Sequence, residues 1–269
     1  MATIDENVTI HVEADTVAGT FVAPDTLMPG VLFVHGWGGS QAQYLARAHA
    51  VASLGCICLT FDLRGHADTR VQYETVSRDS NLKDVLAAYD TLLQRRRVDP
   101  EAIAVIGSSY GGYLAGILTS LRKVKWLGLR APALYLDSGW EMPKLQLHKS
   151  QDLLGYRSRR LAAAENRALN ACENFAGDVL LVESEHDLVI PQAVLSNYRE
   201  ACAHSHSLTY RCLPGADHGL TGDDDQRAYS TLLTTWMTEM LAAMHSDVAA
   251  GPSVAASDAA RPEAPPLVA

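Results

Sequence analysis

Val105-Ile106-Gly107-Ser108-Ser109-Tyr110-Gly111-Gly112-Tyr113 is the stretch on which the fold turns. The apolar residues 102–106 read as a strand that enters it, and residues 110–121 read as a helix that leaves it. Between them, Gly107-Ser108-Ser109-Tyr110-Gly111 matches G-x-S-x-G in a strand–turn–helix setting. A residue at the tip of so sharp a turn is lifted above the sheet. Small residues two positions to either side let strand and helix approach, and the first N–H groups of the helix favour negative charge there. Ser109 lies midway between the two glycines, so it, rather than Ser108, is the candidate nucleophile.

The alternation of strand and helix extends outward in both directions. Residues 8–12 and 16–22 read as an opening antiparallel hairpin. Residues 30–34 form an almost continuous apolar strand that ends in His35-Gly36-Trp37-Gly38-Gly39-Ser40. A helical pattern covers 41–54, with Tyr44, Leu45, Ala48, Val51 and Ala52 inward, and Gly55 stops it. Residues 56–61 read as a buried strand whose two cysteines pack on one face, followed by the polar loop Asp62-Leu63-Arg64-Gly65-His66-Ala67-Asp68. Further on come helices at 77–95, 161–172, 192–202 and 228–244, and strands at 124–130, 178–183 and 208–213. Apolar strands alternating with helices predict an α/β fold built on a doubly wound, mostly parallel sheet. Ligands bind such sheets beyond the carboxyl ends of the strands, where these polar loops fall. Residues 134–176 exceed a minimal crossover, and both a small lid over the nucleophile and an extended crossover fit them. The globular domain is expected over residues 1–245. The Ala/Pro-rich residues 246–269 read as a flexible tail, too poor in large apolar side chains to offset ordering.

Composition narrows the functional classes. The 269 residues are 48% hydrophobic and 20% charged, as in an ordinary globular domain. A net charge of −9 argues against nucleic acid or an anionic membrane as partner. The N-terminus is too polar for a signal peptide, and no apolar run is long enough to span a bilayer, so a cytoplasmic location is expected. The five cysteines form no C-x-x-C pair, which favours free thiols. His204-x-His206 lacks a third ligand, so no metal is expected.

A serine hydroxyl needs a base, and imidazole titrates in the useful range. His218, in Pro214-Gly215-Ala216-Asp217-His218-Gly219 after the last strand, is placed to approach Ser109 from the same sheet edge. Asp187, in Glu185-His186-Asp187-Leu188-Val189-Ile190-Pro191, follows the preceding strand and is placed to orient His218. Glu185 is the nearest competing acceptor, and Asp217 ranks below both. Acyl transfer also creates an oxyanion that backbone N–H groups can stabilise. Tyr110, next to the nucleophile, and Trp37, in the Gly-rich loop, are the candidate donors, with His35 supporting that loop by hydrogen bonding. No Gly-Lys-Ser/Thr follows, so residues 36–40 are a poor match to a phosphate loop.

In the order and spacing of these motifs the chain resembles the α/β-hydrolase superfamily, over residues 8–244. Its closest flavour is the compact esterase, dienelactone-hydrolase-like or acylpeptidase-like group. The resemblance implies an eight-stranded sheet, Ser109 as nucleophile, Asp187 as acid, His218 as base, and Trp37 and Tyr110 as oxyanion donors. It implies no cofactor. Asp62-x-Arg64-Gly65 looks like the structural loop after the fourth strand, but the usual glycine after His66 is Ala67 here, which departs from the commonest capped subgroup. Trp37, Tyr113, Trp140 and Met142 are candidates for an apolar substrate pocket. The expected activity is serine-dependent hydrolysis of a small-molecule carboxylic ester, with water as second substrate. Thioesters, lactones and small peptides suit the same machinery, and a non-catalytic binding protein is the non-enzyme alternative. Self-association into a homo-oligomer is left open.

Overall fold

The computed structural model describes residues 3–23 and 28–250. Eight strands form one sheet in the order β1-β2-β4-β3-β5-β6-β7-β8. The strands are β1 (Ile4–Val12), β2 (Asp15–Ala23), β3 (Met28–Val34), β4 (Ile57–Phe61), β5 (Val98–Ser108), β6 (Trp126–Arg130), β7 (Asp178–His186) and β8 (Ser207–Asp217). The β1–β2 and β2–β4 pairs are antiparallel, and every later pairing is parallel. This is the mostly parallel, doubly wound sheet expected from the alternating pattern. The central strands are buried on both faces, which is why they read as unbroken apolar runs.

The helices are α1 (Leu45–Ala52), α2 (Arg78–Leu93), α3 (Tyr110–Leu118), α4 (Lys144–Ser150), α5 (Leu153–Arg157), α6 (Arg167–Glu173), α7 (Gln192–Ala201) and α8 (Asp223–Ala250). Helices α1 and α8 cover one face through Ala48, Val51, Leu233 and Trp236. Helices α2, α3, α6 and α7 cover the other through Val85, Leu114, Leu169 and Val194. Cys56 and Cys58 pack together on the α1/α8 face, and burial pushes the Cys56 thiol up to about 12. All five cysteines are free thiols.

Several boundaries differ from the sequence reading. Residues 41–44 form a 3₁₀ turn before α1 begins. The single helix expected over 161–172 is broken. Asn166 turns extended, and its side chain accepts from the Ala168 and Leu169 N–H groups, capping a new helix, α6. The closing helix starts five residues early, at Asp223, where three aspartates in the first turn complement the helix dipole. It continues to Ala250, past the boundary expected at 246; the remainder of the expected tail, 251–269, lies outside the described residues. Residues 134–176 carry α4 to α6 between the parallel neighbours β6 and β7 and bury Leu147, Leu153 and Tyr156 in the main core. Among the described residues no helix is long and apolar enough to cross a membrane.

Candidate active site

Strand register places the site. Val34 pairs with Gly107, so the residues after β3 emerge beside the Ser108–Ser109 turn. His186 pairs with Asp217 across a bulge, so the next residues, Asp187 and His218, leave the sheet side by side. Ser109 sits at φ 52° and ψ −117°, a backbone conformation that a non-glycine residue rarely adopts. The turn is held from below by Ser109 N–H donating to Arg130 O at 2.9 Å and by Ala133 N–H donating to Ser109 O at 2.9 Å. The flanking glycines are sterically required. A Cβ on Gly107 would lie 2.5 Å from Gly111 O, and one on Gly111 would clash with Val34 O and lie 2.5 Å from His35 O.

Ser109 Oγ lies 3.0 Å from His218 Nε2, and His218 Nδ1 lies 2.6 Å from Asp187 Oδ2. The second oxygen, Asp187 Oδ1, accepts from the Val189 and Ile190 N–H groups, each at 2.8 Å. Burial alone would raise the Asp187 pKa. The hydrogen bonds from His218 and from these two N–H groups outweigh it and hold the carboxyl below its usual range. The competing acids are engaged elsewhere. Glu185 accepts from Gly215 N–H at 2.7 Å, bracing the loop that carries His218, and Asp217 accepts from Thr221 N–H at 3.0 Å.

Tyr110 is the first residue of α3, so its N–H has no acceptor within the helix. Across from it, the 35–39 loop is fixed by two histidines. Leu63 N–H donates to His35 Nε2 at 3.0 Å while His35 Nδ1 meets Gly36 O at 2.8 Å. Gly38 N–H donates to His66 Nε2 at 3.0 Å while His66 Nδ1 faces the Leu63 and Arg64 carbonyls. In each ring Nε2 accepts and Nδ1 donates, which requires the neutral form. Burial drives the His35 pKa down to about 3 and lowers that of His66. The loop-bracing role expected of His35 is therefore shared with His66, a partner its sequence position did not signal. Ala67, where the family pattern has glycine, adopts φ 45°.

A cavity of about 290 Å³ opens beside Ser109 and His218. Of the four expected pocket residues, only Trp37 lines it. Tyr113 is fully buried against Tyr135 and Trp140. Trp140 donates to Asp79 at 3.0 Å and is stacked by Arg167, 4.0 Å from its ring centre. Met142 accepts from Ser150. Those aromatics form a cation–π cluster with this chain's own cations. It includes Lys144, whose Nζ lies 4.0 Å from the Trp37 ring centre. No residue of 134–176 lines the cavity, although Lys144 connects α4 to Trp37. Arg47 and Arg130 do line it, and sequence reasoning missed both, because periodicity counts a charged residue as solvent-facing. Among the described residues no group of three or more His, Cys, Asp or Glu side chains is placed to hold a metal. His206, one of the pair weighed in the sequence, contacts Asp178 at 2.7 Å.

An uncharacterised Mycobacterium tuberculosis protein is 27% identical over 213 residues, covering 78% of this chain and 70% of that protein. Among solved structures, Est1E from Butyrivibrio proteoclasticus with bound ferulic acid aligns with a TM-score of 0.67 at 16% identity, covering 89% of this chain and 100% of that one. A dienelactone hydrolase from Anabaena variabilis aligns at 0.62 and 18% identity, covering 88% and 98%. The fold is thus that of the α/β-hydrolases. The sequence profile of the prolyl oligopeptidase family matches residues 42–243. With more than half of its length so matched, the chain belongs to the prolyl oligopeptidase family.

Proposed function

We propose that the protein is a serine hydrolase that cleaves carboxylic esters through an acyl-enzyme. The observation that carries this reading is the continuous contact from Ser109 Oγ through the His218 ring to Asp187 at the tip of a strained turn. In the forward step His218 Nε2 takes the Ser109 proton as Oγ attacks the carbonyl carbon. Asp187 keeps the donating proton on Nδ1 and stabilises the imidazolium. The carbonyl oxygen becomes an oxyanion facing the Tyr110 and Trp37 N–H groups, an arrangement worth about 3–4 kcal/mol per donor in the transition state. Collapse expels the alcohol, which takes the proton from His218. Water then attacks the acyl-enzyme with His218 again as base, releasing the acid and restoring Ser109. Each step is balanced without a cofactor.

A second reading, hydrolysis of short peptides or aminoacyl amides by the same residues, is favoured by the family match over 42–243. Turnover of 4-nitrophenyl butyrate and of aminoacyl 4-nitroanilides, by the purified chain and by Ser109→Ala, tests both. Ester turnover should be measurable and should disappear in Ser109→Ala while the circular dichroism spectrum is unchanged. Equal turnover by the variant would remove the serine mechanism. A higher kcat/KM on the anilides would favour the peptidase.

A further inference from the structure

The cavity beside Ser109 is positively charged in an acidic protein. The chain carries a net charge of −9, yet the lining contains two arginines and no aspartate or glutamate. Arg47 is only 8% exposed and Arg130 only 6%. Neither has a carboxylate partner among the described residues. Arg47 Nη1 donates to the Gln43 carbonyl at 3.1 Å, its Nε is buried without a hydrogen-bond acceptor, and its guanidinium lies 5.0 Å from the Tyr229 ring centre. Arg130 donates through Nη1 to the His218 carbonyl at 2.8 Å and through Nε to Ser108 Oγ at 3.3 Å. It is thereby fixed between the residue preceding the candidate nucleophile and the candidate base.

Burying a guanidinium without a counter-charge is costly, and Asp or Glu ordinarily supplies that charge from within the chain. Arg64, only 4% exposed, is neutralised in this way by Asp84 at 2.5 Å, whereas the buried Arg78 and Arg157 donate to backbone carbonyls instead and lie outside the cavity. At Arg47 and Arg130 the missing charge has an open cavity in front of it. Arginine's planar fork matches the oxygens of a carboxylate or phosphate. We propose that Arg47 and Arg130 form an anion subsite, and that the substrate is a small ester carrying a carboxylate or phosphate group near the scissile carbonyl. The inference rests on Ser109 as the nucleophile. It adds a substrate class that the acyl-transfer machinery does not itself specify. Arg130, through His218 O, also positions the base, so Arg47 is the cleaner residue to vary.

The test compares kcat/KM for monomethyl succinate (carboxylate), 2-acetoxyethyl phosphate (phosphate) and methyl pentanoate (neutral), followed in a pH-stat with wild type, Arg47→Gln and Arg47→Lys. At least one anionic ester should be preferred over the neutral one. That preference should fall by about tenfold to a hundredfold in Arg47→Gln, as expected for losing a charged hydrogen bond, and recover in part in Arg47→Lys. The anion favoured identifies the group recognised. Turnover of the neutral ester with no anionic preference, or a preference untouched in Arg47→Gln, overturns the subsite while leaving the serine reading intact. If no ester is turned over, the ester-hydrolase reading is what has failed. Calorimetric titration of succinate and of inorganic phosphate into wild type and Arg47→Gln then decides the subsite: binding lost in the variant supports it, and no binding to wild type overturns it.

Discussion

Replacing His35 with Asn should flatten the acid side of the stability curve. His35 is buried as a neutral ring, accepting from Leu63 N–H and facing Gly36 O, with a pKa near 3 against 6.5 when unfolded. Between those values the unfolded chain binds a proton that the folded chain refuses. Stability is therefore complete well above pH 6.5 and is lost as pH falls through 6.5 towards 3, with a limiting slope of about 1.4 kcal/mol per pH unit. Integrated from pH 7 to pH 5, that single residue removes about 2 kcal/mol, a sizeable share of a typical stability of about 5–15 kcal/mol. His66, whose pKa burial also lowers, acts in the same direction. The window lies above the carboxylate range, so Asp187, held low, does not contribute to it. Its own stabilisation is lost only at lower pH, as pH falls through its depressed pKa. Urea unfolding of wild type and His35→Asn at pH 7, 6 and 5 measures the effect. The variant starts less stable, and the gap should narrow by about 2 kcal/mol on going to pH 5. A gap constant to within about 0.5 kcal/mol would mean that His35 is not held neutral and that the loop is braced in some other way.

Two further substitutions probe the turn and the acid. Asp187→Asn should leave the fold and the Ser109–His218 distance intact but lower kcat by about 10⁴-fold by favouring the wrong imidazole tautomer; a loss of under tenfold in steady-state kinetics would contradict the role given to Asp187. Gly111→Ala places a methyl against the Val34 and His35 carbonyls and should cost about 3 kcal/mol in urea unfolding, with activity falling as α3 shifts; wild-type stability would show that strand and helix are not so closely apposed.

The sheet and the sharp turn at Ser109 were legible because their signals are local. Apolar strands ending in glycine-rich loops write themselves directly into the sequence, and Gly107 and Gly111 stand where backbone contact leaves no room for a side chain. The choice between Asp187 and Glu185 was not local. It depends on a bulge between Ser184 and His186 that turns one carboxylate towards His218 and the other towards Gly215. The pocket residues failed for a different reason. Tyr113, Trp140 and Met142 look like an apolar lining in one dimension, but Arg78, Lys144 and Arg167 fold onto the aromatic rings of this cluster, Trp37 included, and the cluster is packed by its own cations. Arg47 and Arg130 were missed by the converse error, since a buried charge has no hydropathy signature. The break at Asn166 was invisible to periodicity, because a single side chain capping two N–H groups decides it.

Intact-protein mass spectrometry after treatment with an alkyl fluorophosphonate tests the central claim most directly. Ser109, activated by His218, should take up one phosphonyl group, which peptide mapping places on Ser109 and not on Ser108, and Ser109→Ala should take up none. An unmodified wild-type protein, or an adduct retained in Ser109→Ala, would contradict the account.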